Sequence, residues 1–119
     1  MLSKIIGEID WLRVRTHSAL KALNSREGEY VRLLGWVASK RIIGGIVFCL
    51  VRDGSGFIQV AGKKGITDEN NLENMRRVSL ESAVMVGGLI RDDERAIGGR
   101  EISVKEFQII ALSEKWPIT

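Results

Sequence analysis

The chain has 119 residues, of which 45% are hydrophobic and 28% are charged, a composition typical of one globular domain and not of a disordered chain. Its single cysteine excludes an internal disulfide, and with only one histidine it excludes a Cys/His zinc site. The longest unbroken apolar run, Ile46 to Val51, is far too short to cross a bilayer, and Lys4, Glu8 and Asp10 interrupt the apolar N-terminus, unlike a secretory signal. These features predict a cytoplasmic protein that does not contact a membrane.

Positive charge is concentrated in the first half of the chain. Residues 1–65 carry eleven Lys and Arg against five Asp and Glu, whereas residues 66–119 carry seven against ten. A basic half is what a surface that binds a polyanion requires. Basic residues scattered over a solvated surface would give the same count, so charge alone leaves both interpretations open.

Two helices are predicted before the first strand, as an N-terminal helical extension over residues 1–28. Apolar residues at helical spacing predict an amphipathic helix over residues 2–12. They are Leu2, Ile5, Ile6, Ile9 and Leu12. A second, short helix is predicted from Ser18, whose hydroxyl can cap free amides, to about Leu23.

Three strands separated by glycine-rich turns are predicted from Tyr30 onward. Gly35 in the first strand fits the sharp coiling of a strand that serves two sheets. Turn signals at Gly44-Gly45 and in the Asp-Gly-Ser-Gly run at residues 53–56 delimit the second and third strands.

A helix and two further strands complete the predicted order. A roughly helical apolar stripe from Leu72 to Leu80 predicts the helix, with Thr67 or Asp68 as its cap. The fourth strand is predicted at residues 82–90, and the fifth at residues 101–112. Three strands, a helix and two strands are the plan of the OB-fold, a mainly β five-stranded Greek-key barrel, here assigned to residues 29–114. Other small α+β sandwiches share this order.

The sequence contains no recognisable catalytic or metal-binding constellation, and no cofactor is expected. It has no phosphate-binding loop, H-E-x-x-H motif or paired-cysteine spacing. We interpret His17 as a surface or capping residue and Cys49 as a small hydrophobe in an apolar strand. Asp92, Asp93 and Glu94 are interpreted as a solvated charge run in preference to a magnesium site.

A nucleic-acid-binding surface is the functional feature that the residues do suggest. Trp36, Phe48 and Gln59 fall on three successive strands, and Lys40 and Arg41 end the first of them. An aromatic ring can stack on an unpaired base, an amide can contact a base edge, and an arginine can hold a phosphate or base. Both aromatics could instead belong to the core, the commoner fate of aromatic residues in strands. The polar Gln59, flanked by two β-branched apolar residues, should face solvent or find a partner.

Residues of the first three strands follow an ordered pattern: Gly35-Trp36-Val37, Arg41, Gly44-Gly45, Phe48, Leu50, Arg52-Asp53, Gly56 and Gln59. This pattern resembles the G-W-V…R…G-G…F…L-R-D…G…Q signature of the anticodon-binding domain of class IIb aminoacyl-tRNA synthetases, the aspartyl, asparaginyl and lysyl enzymes. Residues 81–88, 93–99 and 113–118 are similar to archaeal asparaginyl-tRNA synthetases.

This resemblance implies roles in binding the anticodon loop of tRNA. Phe48 matches the aromatic that stacks on the middle base, and Gln59 and Arg41 match the neighbouring glutamine and arginine. Aspartyl enzymes use a glutamate on the fifth strand to read the last anticodon base, a cytosine, and Ser103 occupies that position here. A hydroxyl can satisfy a carbonyl of uracil, so the resemblance favours asparagine tRNA. Lys40, Lys63 and Lys64 are weaker candidates for phosphate contacts.

Residues 115–119 resemble the start of the linker to a catalytic domain, and the chain shows no class II motifs for activating an amino acid. We therefore expect no aminoacylation from this chain alone, whether it is an excised domain or a free-standing paralogue. Three other interpretations stay open. The chain could bind single-stranded nucleic acid generally, it could bind an unrelated ligand, or its N-terminal helix could dock a partner protein or form a homodimer.

Overall fold

The computed structural model describes residues 11–111, which form a closed five-stranded barrel in the order β1-β2-β3-β5-β4. Neighbouring strands are antiparallel except for β3 and β5, which are parallel. This topology confirms the predicted OB-fold. The strands are β1 (Tyr30–Ile43), β2 (Ile46–Asp53), β3 (Gly56–Lys63), β4 (Ala83–Asp92) and β5 (Arg100–Ala111).

Within residues 11–111 three α-helices accompany the barrel: α1 (Trp11–Val14), α2 (Ala19–Leu23) and α3 (Glu69–Arg77). The predicted caps are confirmed, since the side chain of Ser18 accepts from a backbone amide of α2, and that of Asp68 from one of α3. The predicted stripe extends too far, because α3 ends at Arg77 and Leu80 is exposed. Most of the helix predicted over residues 2–12 lies outside the described residues, so its role in a homodimer stays a prediction.

Side chains of the strands alternate between the barrel interior and its outer surface. In β2, Val47, Cys49 and Val51 are buried, whereas Phe48 and Leu50 lie between them on the outside. Burial raises the pKa of the Cys49 thiol to about 11, which keeps it a protonated, small apolar side chain as predicted.

Gly35 lets β1 turn between its two neighbours. The next residue, Trp36, pairs with Arg52 of β2 and also with Ala83 of β4, so this is where the strand is shared. A Cβ atom at Gly35 would lie 2.5 Å from the carbonyl oxygen of Arg52 and 2.7 Å from the side chain of Val51. The close approach of β2 therefore requires glycine at this position.

His17 is buried, so its predicted surface position is wrong. Its Nε2 lies 3.0 Å from Oε2 of Glu29, and its backbone amide donates to the carbonyl of Arg32. The hydrogen bond with His17 is the largest cause of a lowered pKa at Glu29. The imidazole thus helps to fasten the N-terminal segment to the start of β1.

Lys40 is half-buried on the interior side of β1, at one end of the barrel, because of a β-bulge in this strand. The register with β2 shifts between Val37 and Ser39, which turns Lys40 to the side of its partner Cys49. The ammonium donates to the carbonyl oxygens of Arg76 and Val78, each at 2.6 Å. Lys40 therefore caps the C-terminal end of α3, and its ammonium is engaged there in place of the predicted phosphate contact.

No helix among residues 11–111 is long and apolar enough to cross a membrane. Within the same range, no three His, Cys, Asp or Glu side chains are grouped as metal ligands.

The close approach at Gly35 predicts that Gly35→Ala lowers the free energy of unfolding by about 1–3 kcal/mol, because the methyl group forces β1 and β2 apart. Urea unfolding measures this change. Gly45→Ala is the matched control, since no atom lies within 4 Å of a Cβ atom at that position. Equal stabilities of the two variants would contradict the explanation.

The half-buried side chain of Lys40 predicts that Lys40→Met lowers the free energy of unfolding by about 1–2 kcal/mol, because two carbonyls at the end of α3 lose their donor. Thermal or urea unfolding tests it against Lys63→Met, which removes the same charge from an exposed site. If Lys63→Met loses as much stability as Lys40→Met, Lys40 is not a cap.

Candidate nucleic-acid interface

Two adjacent rows of side chains cross the outer surface of β1, β2, β3 and β5. Each row consists of residues that pair across neighbouring strands, so their side chains lie side by side on the same surface. The first, the Phe48 row, contains Arg41, Phe48, Ala61 and Ser103. The second, the Gln59 row, contains Ser39, Leu50, Gln59 and Glu101.

Phe48 is half-buried and carries the exposed Arg41 on its ring. The guanidinium carbon of Arg41 lies 4.8 Å from the ring centroid, a cation–π contact. The bulge in β1 produces this contact, because the same shift of register that turns Lys40 inward turns Arg41 outward. A planar ring and a planar guanidinium are both surfaces on which a base can stack.

Gln59 is half-buried, and its amide is held from one side. Nε2 of Gln59 donates to Oε1 of Glu101 at 2.6 Å, across the parallel pair of β3 and β5. Burial raises the pKa of Glu101, a shift that the bond from Gln59 opposes and that the charge of Asp93 reinforces. The amide thus has a partner for its nitrogen, and within residues 11–111 its oxygen accepts no hydrogen bond.

Ser103 lies at the β5 end of the Phe48 row. It pairs with Ala61 of β3 and, on its other side, with Leu89 of β4. Glu101 precedes it by two residues and therefore projects from the same surface of β5. The structure thus brings Arg41, Phe48, Gln59 and Ser103 together.

Two exposed lysines flank these rows. Lys63 ends β3 and, by the alternation of that strand, lies on the same surface as Gln59. Lys64 follows it in the turn before α3. Together with Arg41 they make this end of the surface cationic, whereas Lys40 is taken up by the carbonyls of α3.

Trp36 is exposed but lies apart from the two rows. It pairs with Arg52, which pairs in turn with Phe57, so these three form a separate row farther along the strands. The guanidinium of Arg52 lies 5.5 Å from the Trp36 ring centroid and also bonds to Glu81. The structure therefore does not bring Trp36 to the same site as Phe48 and Gln59.

Glu101 is the site residue that the sequence analysis missed. Nothing in the local pattern of β5 distinguishes it from other charged residues, since 42 positions separate it from Gln59 in the chain. The signal is topological, because the parallel closure of an OB barrel brings the third and fifth strands together.

Comparison with known proteins identifies the relatives of this fold. Residues 31–110 match the family model of the OB-fold nucleic acid binding domain. The asparagine–tRNA ligase of Thermococcus kodakarensis is 40% identical over 93 residues, which is 78% of this chain and 21% of that protein. That of Pyrococcus horikoshii is 35% identical over 92 residues, 77% of this chain and 21% of that protein. The chain thus spans about a fifth of the length of these curated relatives.

Solved structures agree with the sequence comparison. The crystal structure of asparaginyl-tRNA synthetase from P. horikoshii complexed with asparaginyl-adenylate has a TM-score of 0.80 and 30% identity, covering 89% of this chain and 24% of that chain. An OBody bound to hen egg-white lysozyme has a TM-score of 0.76 and covers 83% of this chain and 97% of that chain, but at 23% identity it shows the fold alone. The chain belongs to the anticodon-binding family of OB-fold nucleic acid binding domains, and asparaginyl-tRNA synthetases are among its relatives.

Proposed function

We propose that this domain binds the anticodon loop of tRNA, most favourably that of asparagine tRNA, through the Phe48 and Gln59 rows. The observation that carries the proposal is the meeting of Arg41, Phe48, Gln59 and Ser103 on one outer surface. These four positions are the ones for which the family resemblance implies base contacts. The relatives named asparagine–tRNA ligases support the choice of tRNA.

Stacking supplies the main attraction in this proposal. Bases of an anticodon loop are unpaired and can be splayed onto a protein surface, where Phe48 receives the middle base. Base–aromatic stacking contributes about 1–3 kcal/mol and tolerates any base. Arg41, which rests on the same ring in the free domain, carries a charge that can turn toward the phosphates when a base arrives.

Hydrogen bonds supply the selectivity. The amide of Gln59, whose nitrogen is engaged by Glu101, offers its oxygen as an acceptor to the edge of the stacked base. At the β5 end of the Phe48 row, the Ser103 hydroxyl can donate to a carbonyl of uracil. A cytosine at the same place presents an amino group, which is better served by a carboxylate, so Ser103 favours asparagine over aspartate anticodons.

The chain corresponds to about a fifth of each ligase relative, so we propose that it serves tRNA recognition and not aminoacylation. In the relatives' type of enzyme, activation of the amino acid belongs to class II motifs that this sequence does not show. The domain would bind the anticodon loop of a tRNA that such a catalytic unit, on the same chain or on another, acts on.

Removal of the stacking ring tests the proposal directly. Phe48→Ala should weaken binding of an asparagine anticodon stem-loop by about 1–3 kcal/mol, because the middle base loses its platform. A filter-binding or fluorescence-anisotropy titration of the full chain measures the loss.

The matched control is Phe57→Ala, which removes a ring of the same type from the row of Trp36 and should change affinity by less than about 0.5 kcal/mol. Unchanged affinity in Phe48→Ala would refute the site. If the natural chain binds a stem-loop with a scrambled loop equally well, it is a general single-strand binder.

The flanking lysines are expected to act through charge alone. Replacing Lys63 and Lys64 by Met should reduce the dependence of log affinity on log salt by about one for each phosphate that the protein no longer neutralises, without changing sequence preference. Titrations at several salt concentrations measure the slope, and Lys40→Met should leave it unaltered. If the salt dependence of the double variant equals that of the natural chain, the two lysines contact no phosphates and are only hydrated surface residues.

A further inference from the structure

The hydrogen bond from Gln59 to Glu101 bears on the orientation of the Gln59 amide as well as on its position. A glutamine amide has a donor end and an acceptor end of nearly equal size, and rotation by 180° exchanges them. A free amide can therefore offer either end to a base and reads its edge ambiguously. At Gln59 one end is already engaged, by Oε1 of Glu101 at 2.6 Å.

The chemistry of the partner decides which end is engaged. An ionised carboxylate only accepts hydrogen bonds, so the amide must turn Nε2 toward Glu101. Asp93 and Arg95 are the charged groups that also act on this carboxylate. Since Glu101 stands on β5, the amide nitrogen faces β5 and its oxygen is turned away from that strand.

The strand order then gives the direction of the oxygen. β3 lies between β5 and β2, so an amide with its nitrogen toward β5 turns its oxygen toward β2. Phe48 is on β2, in the neighbouring row. A base stacked on Phe48 therefore meets an acceptor, Oε1 of Gln59, at its edge.

We infer that Glu101 is a positioning residue that locks the Gln59 amide with its oxygen toward the base, and so makes the site select uracil over cytosine on Phe48. The inference rests on the proposed function, since it concerns a base bound at that site. Uracil carries a donor at N3, where cytosine carries a lone pair. The two pyrimidines are equal in size, so stacking on Phe48 does not distinguish them.

The test is the ratio of affinities for two anticodon stem-loops that differ only by uracil or cytosine at the middle position. With the full natural chain we expect about a tenfold preference for uracil. Glu101→Gln replaces the carboxylate by an amide of the same shape, which can accept from or donate to Gln59. Both orientations of Gln59 are then satisfied, and the preference should fall below about threefold while the uracil stem-loop still binds.

Glu73→Gln is the matched control, because it removes the same charge from α3, where Glu73 pairs with Arg76. Loss of a negative charge near RNA raises affinity for both stem-loops alike, so the ratio is insensitive to it. An undiminished preference in Glu101→Gln, or a preference of the natural chain for cytosine, overturns the inference but leaves tRNA binding standing. A natural chain that binds neither stem-loop overturns the proposed function, and the inference with it.

A second measurement follows the amide without RNA. In the natural chain, the side-chain N–H resonances of Gln59 should report a strong hydrogen bond to a carboxylate, and they should shift in Glu101→Gln but not in Glu73→Gln. If the resonances do not move, Glu101 does not hold the amide, even if affinities change. The spectra also establish that each variant is folded.

Discussion

The parallel pairing of β3 with β5 is the contact on which the rest of this structure depends. It joins residues more than forty positions apart, Gln59 with Glu101 and Ala61 with Ser103, and it closes the barrel. The interior residues between them, Val60 and Ile102, are fully buried. Because side chains alternate along strands, the pairing that buries this apolar pair also aligns polar residues outside. The same strand pairing therefore packs the core and aligns the residues of the proposed interface.

A single bulge in β1 adds the cationic part of the surface. Without it, simple alternation from the exposed Trp36 and buried Val37 would turn Lys40 outward and Arg41 inward. The shift of register after Val37 reverses both, so Lys40 caps α3 and Arg41 reaches Phe48. One extra residue in the strand thus places one of two adjacent basic side chains on α3 and the other on the outer surface, where the proposed interface lies.

Much of the fold was predictable from local chemistry, since glycine turns, capping side chains and β-branched runs act over a few residues. The caps at Ser18 and Asp68 and the turn at Gly44 are examples. The roles of Phe48 and Gln59 came from family resemblance, because spacing alone left open whether an aromatic in a strand faces the core or solvent.

Other features depend on contacts that no local pattern encodes. The position of Lys40 is not predictable from the sequence because a bulge leaves no signature in residue type, and that of His17 is not predictable because its burial depends on Glu29 and the backbone of Arg32. Glu101 is not predicted as a site residue because its place in the site depends on the pairing of β5 with β3. In these cases the position of the side chain depends on long-range contacts and not on residue identity.

The position of Arg41 over Phe48 has a consequence for how binding energy is obtained. A nucleobase that reaches the ring competes with a cation already resting there, so the gain is a difference between two contacts and not the whole of one. The displaced guanidinium is then free to swing toward the adjoining phosphate. Each bound base would replace the guanidinium of Arg41 on the Phe48 ring. When the base leaves, Arg41 would return and cover that face of the ring again.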